Sequence, residues 1–147
     1  MSRRFRSKSV DRWLKGTLSN AQFLGLHDED RHEILFHAHR FFDEGRIPDA
    51  ERLFNLALLL WPDSAGATRG LGACRQFSGD LESAVDYYEK TLHVRGQDPH
   101  AVTNRAECLL LLGRLDEARA ALALVSTSEP ALRDRIELLR GSMPAES

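Results

Sequence analysis

The sequence predicts an all-α protein in which three helix-turn-helix units of equal length follow a short N-terminal helical segment and are closed by a capping helix. Three observations carry this expectation. Glycine recurs at Gly45, Gly79 and Gly113, and alanine at Ala50, Ala84 and Ala118, always 34 residues apart. A small residue recurs in the same register at Ala38, Gly72 and Ala106, and a large apolar one at Phe54, Tyr88 and Leu122. Pro62 and Pro130 lie two periods apart. Such a unit cannot bury its apolar face alone and does so by stacking on the next copy.

A 34-residue period with small residues at fixed places is the mark of the tetratricopeptide repeat, whose paired helices approach closely. The expected architecture is three such repeats, at 30–63, 64–97 and 98–130, in a right-handed superhelix. The stretch GLGACRQFSG at 70–79 then makes sense. A helical glycine costs about 1 kcal/mol relative to alanine, and Gly72 offsets it by standing where the first helix of its repeat meets the second. Gly79 is the break between those two helices. Cys74 and Cys108 also lie 34 apart, which reads as small buried hydrophobes kept as thiols.

The elements follow in order. Residues 1–12, rich in arginine and serine, read as a basic flexible tail. Between 13 and 29, Trp13, Leu14, Leu18, Phe23, Leu24 and Leu26 are too many apolar groups for a free linker. Gly16 and Gly25 argue against one long helix there, so a short helical segment is expected. Asp30-Arg31-His32-Glu33 reads as a capping box opening a helix that runs to about Glu44. Pro48 suits the first turn of the second helix, and Trp61-Pro62-Asp63 ends it. Ser64 is placed to cap the third helix and Asp80 the fourth, and Gly96 with Asp98-Pro99 separates the fourth from the fifth. Gly113 divides the fifth from the sixth. After Pro130, Leu132, Ile136 and Leu139 form one stripe of a capping helix over 131–141, with Gly141 as its stop and 142–147 as a second flexible tail.

Composition narrows the function. With 147 residues, 42% of them hydrophobic and 29% charged, the chain has the make-up of one soluble domain. The longest apolar run, Leu56 to Trp61, is far short of the roughly 18 residues a membrane span needs, so no membrane insertion is expected. The early arginines are followed at once by Asp11 and Arg12, which argues against a secretory signal and for a cytoplasmic protein. Residues 1–15 carry a net charge of +5 and the remainder −7. The basic end can meet nucleic acid, an anionic membrane or an acidic partner, but no groove-reading helix accompanies it, and nucleic acid is not an expected partner. His32, His37 and His39 lack the i, i+4 pairing a metal needs, and His37 is expected between repeat helices. No nucleophile with a base and no phosphate loop is legible. Neither a cofactor, a metal nor catalysis is expected.

A stack of such repeats binds an extended peptide on the face lined by the first helix of each unit. Numbering each repeat from Arg31, Ala65 and Pro99, positions 2, 5, 9 and 12 point inward. They include Leu35, His39 and Phe42, then Arg69, Ala73 and Gln76, then Thr103, Glu107 and Leu110, with His32, Gly66 and His100 at position 2. Leu35, His39, Ala73 and Thr103 stand where a clamp for a C-terminal carboxylate would need lysine or asparagine. Leu35 and Phe42 instead offer apolar surface to a client, and Gly66 and Gly70 are expected to leave room for its chain.

GLGACRQ at 70–76, followed in register by AECLL at 106–110, resembles the class II translocator chaperones of bacterial type III secretion, the SycD/LcrH type. LKGTL at 14–18, the helix through Phe42-Asp43-Glu44-Gly45 and RIPDAERLF at 46–54 extend the resemblance over about residues 13–126. It implies three tetratricopeptide repeats behind an N-terminal helical region. It implies hydrophobic translocator proteins as clients, held soluble before secretion; self-association as a homodimer without them is expected because an apolar N-terminal segment and an empty groove both favour pairing. It also makes Leu35, His39 and Phe42 the counterparts of an aromatic-rich client pocket continued by Ala73 and Gln76. The family tends to place tyrosine or phenylalanine where this chain has Leu35 and His39, so different client anchors are expected. A chaperone for a needle subunit and a generic repeat scaffold are the competing readings.

Overall fold

A computed structural model describes residues 3–145, with side chains from Lys8 onward; Met1, Ser2, Glu146 and Ser147, from the two expected tails, lie outside the described residues. Among the described residues all regular structure is helical: α1 (Arg3–Leu14), α2 (Asn20–Phe23), α3 (Asp28–Asp43), α4 (Ile47–Leu60), α5 (Ala65–Phe77), α6 (Leu81–Arg95), α7 (Pro99–Leu111), α8 (Leu115–Leu124) and α9 (Pro130–Ser142). The chain divides into two compact units, Met1–Ala67 and Thr68–Ser147, and the division falls inside α5.

In the first unit α3 and α4 pair as a helical hairpin. The turn between them closes at Gly45, whose φ of +76° is a left-handed conformation that glycine adopts without Cβ strain. Pro48 sits in the first turn of α4, where its missing N–H costs nothing. Ala38, Ala50, Phe54 and Ala57 are fully buried, so the small residues do admit close packing. Upstream, Ser19 opens α2 with a reciprocal capping box to Gln22. Ala21 then joins Leu60 and Trp61 in a small core flanked by Leu26 and Ile34.

Two boundaries differ from expectation. Residues Arg3–Leu14 are helical where the sequence reads as a flexible tail; arginine and lysine are good helix formers, and the helix end is tied down through Trp13, whose indole N–H donates to Asn20 Oδ1 at 2.7 Å. Helix α3 begins at Asp28, not at a cap on Asp30. Asp30 instead reaches back to accept from the His27 backbone N–H at 2.7 Å, and Asp28, Glu29 and Asp30 together favour the positive end of the helix dipole.

In the second unit the caps fall where the sequence places them. Asp80 accepts from Ser83 N–H (3.3 Å) and Asp98 from Ala101 N–H (3.0 Å), while Pro99 takes the first turn of α7. Gly72 meets the ring of Tyr88 so closely that a Cβ would lie 2.7 Å from Tyr88 Cε1. The core of this unit gathers Ala84, Val85, Tyr88, Ala101, Cys108, Leu109 and Ala118. A second cluster of Ala106, Leu122, Leu132 and Ile136 docks α9, with Leu139 partly buried beside it. Gly141 does not stop α9: it lacks the positive φ of a C-terminal glycine, and the helix runs on to Ser142.

These surroundings set opposite signs for two glycine substitutions. Gly72→Ala drives a methyl group into the Tyr88 ring and should lower stability by about 1–3 kcal/mol. Gly141→Ala meets open space in an ordinary helical conformation and should raise it by up to about 1 kcal/mol. Urea-unfolding midpoints of the two variants check both.

Candidate functional site

The spacing of Leu35, His39 and Phe42 puts them on one face of α3. Leu35 and Phe42 are half-buried and His39 is exposed. The His39 ring stands edge-on to the buried Phe54 at 5.0 Å, which fixes its orientation. Leu35 lies over Gly66: its Cδ1 is 3.0 Å from where a Cβ there would be. Gly66 therefore leaves room for Leu35 and not for an incoming chain, and Gly70 is itself buried. One more apolar group on α3 escapes the position rule. Phe36 is 64% exposed and is i−3 from His39, the separation at which helical neighbours meet.

His37 is exposed, not wedged between helices. It lines a shallow pocket together with Leu26, Asp30, Glu33, Ile34, Phe41 and Leu53, while Ala38 takes the buried place on α3.

In the second unit the polar residues expected to line a groove are largely bound to other side chains and carbonyls of that unit. Arg69 donates from Nη1 to both carboxylate oxygens of Asp98 (2.9 and 3.2 Å), and the same carboxylate also accepts from Arg95 at 3.3 Å. Asp98 is buried, so its charge is compensated by two guanidinium groups and a backbone N–H. The Tyr88 hydroxyl donates to Gln76 Oε1 (2.8 Å), and Gln76 Nε2 donates to Glu107 Oε2 (2.9 Å). Arg135 of α9 donates to that same Glu107 oxygen and, at 2.8 Å, to Asn104 Oδ1. Thr103 is a correction to the expected lining: it is fully buried and its hydroxyl donates to the Pro99 carbonyl at 2.7 Å. Ala73 is half-buried, and Leu110, partly buried, packs on the Val85–Leu109 core. His100 pairs with Glu129 at 2.9 Å. The sequence reading missed Asp98, Tyr88, Asn104 and Arg135 as partners because each contact joins residues 12 to 31 positions apart. It also missed Phe77 and Leu111, exposed by 67% and 68%, although their 34-residue separation is a legible signal.

Both cysteines are free and buried. Burial pushes the Cys108 thiol up to about 11, and the neighbouring Glu107 carboxylate adds to the rise. Burial likewise raises the Tyr88 phenol, with the Cys108 charge next in importance. No group of three or more metal-ligating side chains occurs among the described residues.

Comparison with known proteins agrees with this geometry. The model of the tetratricopeptide repeat family matches residues 78–140. Low calcium response locus protein H of Yersinia pestis is 28% identical over 116 residues, covering 79% of this chain and 69% of that protein. Among solved structures, PcrH from Pseudomonas aeruginosa is 27% identical with a TM-score of 0.68, covering 80% of this chain and 93% of its own. PcrH in complex with the chaperone binding region of PopB is 29% identical with a TM-score of 0.66, covering 78% and 98%. The Yersinia enterocolitica translocator chaperone SycD, in a form described as an alternative dimer, is 25% identical with a TM-score of 0.67, covering 78% and 96%.

Two outcomes follow from the site's electrostatics. Asp98→Ala removes a helix cap and leaves Arg69 without its buried partner, and should cost at least about 2 kcal/mol in chemical denaturation. The Cys108 thiol binds its proton more tightly folded than unfolded, so its contribution is fully present below pH 9.0 and is lost as pH rises toward about 11. Stability measured across that window should fall, and Cys108→Ala should flatten the fall.

Proposed function

We propose that this chain, a tetratricopeptide-repeat protein of the class II type III secretion chaperone type, binds an extended segment of hydrophobic translocator proteins and keeps them soluble before secretion. The observation that carries this reading is the likeness to PcrH, solved with the chaperone binding region of PopB, over 78% of this chain. The apolar side of α3 supports it from within: Leu35 and Phe42 offer half-buried apolar surface, with His39 held between them in sequence by Phe54. We assign Leu35, His39 and Phe42 as the client anchors, with Ala73 and Leu110 as further apolar contacts. Arg69, Gln76 and Glu107 shape the polar surroundings by holding α5, α7 and α9 in register.

The mechanism is stoichiometric masking. A translocator's apolar segments aggregate in water unless covered, and a preformed surface covers an extended segment without folding it and without a chemical step. We place the protein in the bacterial cytoplasm, where such a client is made. The SycD form described as an alternative dimer supports pairing with a second copy, which we assign to the chain without client.

Titration of the full chain with a labelled apolar translocator segment tests the anchors. Leu35→Ala with Phe42→Ala should weaken binding by roughly thirtyfold to a thousandfold while the helical circular dichroism is kept, since anchor side chains each contribute about 1–2 kcal/mol. Unchanged affinity would move the client elsewhere. Stoichiometric co-purification of a short needle-like subunit from the native bacterium, in place of a secreted protein with long apolar segments, would overturn the translocator reading.

A further inference from the structure

Among the described residues of the second unit, Phe77, Val94, Leu111, Leu124 and Leu138 hold large apolar side chains in solvent. Phe77 and Leu111 differ from the rest in standing 34 residues apart, at the same place in successive repeats. They are also equally open, at 67% and 68%. Each is the last residue of the first helix of its repeat, α5 or α7. Scattered single groups of this kind are ordinary on a protein surface, whereas two held at neighbouring helix ends make a patch.

Their direction follows from the helical period. Phe77 lies one turn beyond Ala73, and Leu111 one turn beyond Glu107, so each continues the side of its helix that carries the inward repeat positions. The bond from Gln76 Nε2 to Glu107 Oε2, 2.9 Å long, joins α5 directly to α7 at this level. Gln76 immediately precedes Phe77 and accepts from the Tyr88 hydroxyl, and Glu107 is gripped from α9 by Arg135. Helices in such contact lie about 8–10 Å apart. The bridge therefore fixes the separation of the two apolar ends before any partner arrives.

The surroundings set the chemistry of that partner. Gln76 and Glu107 are engaged by the protein, and Thr103 is sealed against the Pro99 carbonyl. Ala73 and Leu110, already assigned to the client, stand one turn before Phe77 and one residue before Leu111. The side of α5 and α7 that remains open is thus apolar at its C-terminal end and continuous with those contacts. An uncharged aliphatic or aromatic stretch covers it without desolvating a charge, which a polar or charged stretch could not do.

We propose that Phe77 and Leu111 form a second anchoring site, on the second unit, for an uncharged apolar stretch of the client. The proposal rests on the chaperone reading above and adds two residues that the α3 anchors do not include.

The experiment titrates the full chain with the same labelled apolar translocator segment used for the α3 anchors. Phe77→Ala with Leu111→Ala should weaken binding roughly tenfold to a hundredfold, each rim-placed group contributing a factor of about three to ten. The urea-unfolding midpoint should stay where it is, because both side chains are mostly in water. As a readout independent of affinity, benzoylphenylalanine placed at 77 or at 111 should photo-crosslink to the segment, and at 124, exposed but out of register, it should not. Unchanged affinity of this variant beside a weakened Leu35→Ala, Phe42→Ala variant would overturn the second site and leave the chaperone reading standing. Full affinity in both variants would remove both assignments. A lowered unfolding midpoint that accounts for the lost affinity, or equal crosslinking from 124, would also overturn the proposal. Crosslinks from 77 or 111 between two copies of the chain, undiminished by the segment, would assign the patch to a second copy instead.

Discussion

Where α5 crosses α6 there is no space for even one methyl group, and much of the second unit is arranged around that contact. Gly72 allows the Tyr88 ring to lie directly on the α5 backbone. The ring is then fully buried, which forces its hydroxyl to find a partner inside the protein. It finds Gln76, one turn further along α5, and Gln76 in turn reaches Glu107 on α7. Glu107 receives Arg135 from α9. A single missing side chain thus sets the position of four helices through one chain of hydrogen bonds.

That chain, together with the Arg69–Asp98 pair, explains why the polar residues expected to face inward are not idle recognition groups. Arg69 neutralises a buried aspartate that also caps α7, and Gln76 and Glu107 each serve at least two neighbours. Removing a partner from such a network leaves a desolvated charge or dipole, so these side chains are held by the fold first. The apolar side of α3 is under no such obligation. Leu35 and Phe42 keep part of their surface in solvent, where contact with another apolar group would displace water.

Repetition made most of the helical layout legible. Glycines 34 residues apart are the turns between paired helices, and all three take the left-handed conformation that makes them necessary. Ser64, Asp80 and Asp98 cap helices because a short polar side chain ahead of a helical run has few other uses for its oxygen. Local rules failed where two local solutions compete. Asp30 can open a helix or close a box on the residue three before it, and the three acidic residues at the helix start favour the second. Gly141 can stop a helix or ride in its last turn. An arginine- and serine-rich end reads as tail until Trp13 is seen to bond a residue seven positions away.

The sequence by itself determined the period, the paired helices of each repeat, the small residues at their crossings and the burial of Cys74 and Cys108, because each of these depends on spacing along a helix. Only the tertiary structure decided which inward positions remain available. Thr103 is sealed against Pro99, Arg69 is clamped to Asp98, and the gap over Gly66 is filled by Leu35. Those outcomes depend on contacts between residues brought together by packing, with partners that no periodicity specifies, and burial of a polar atom obliges it to take whichever partner the packing brings.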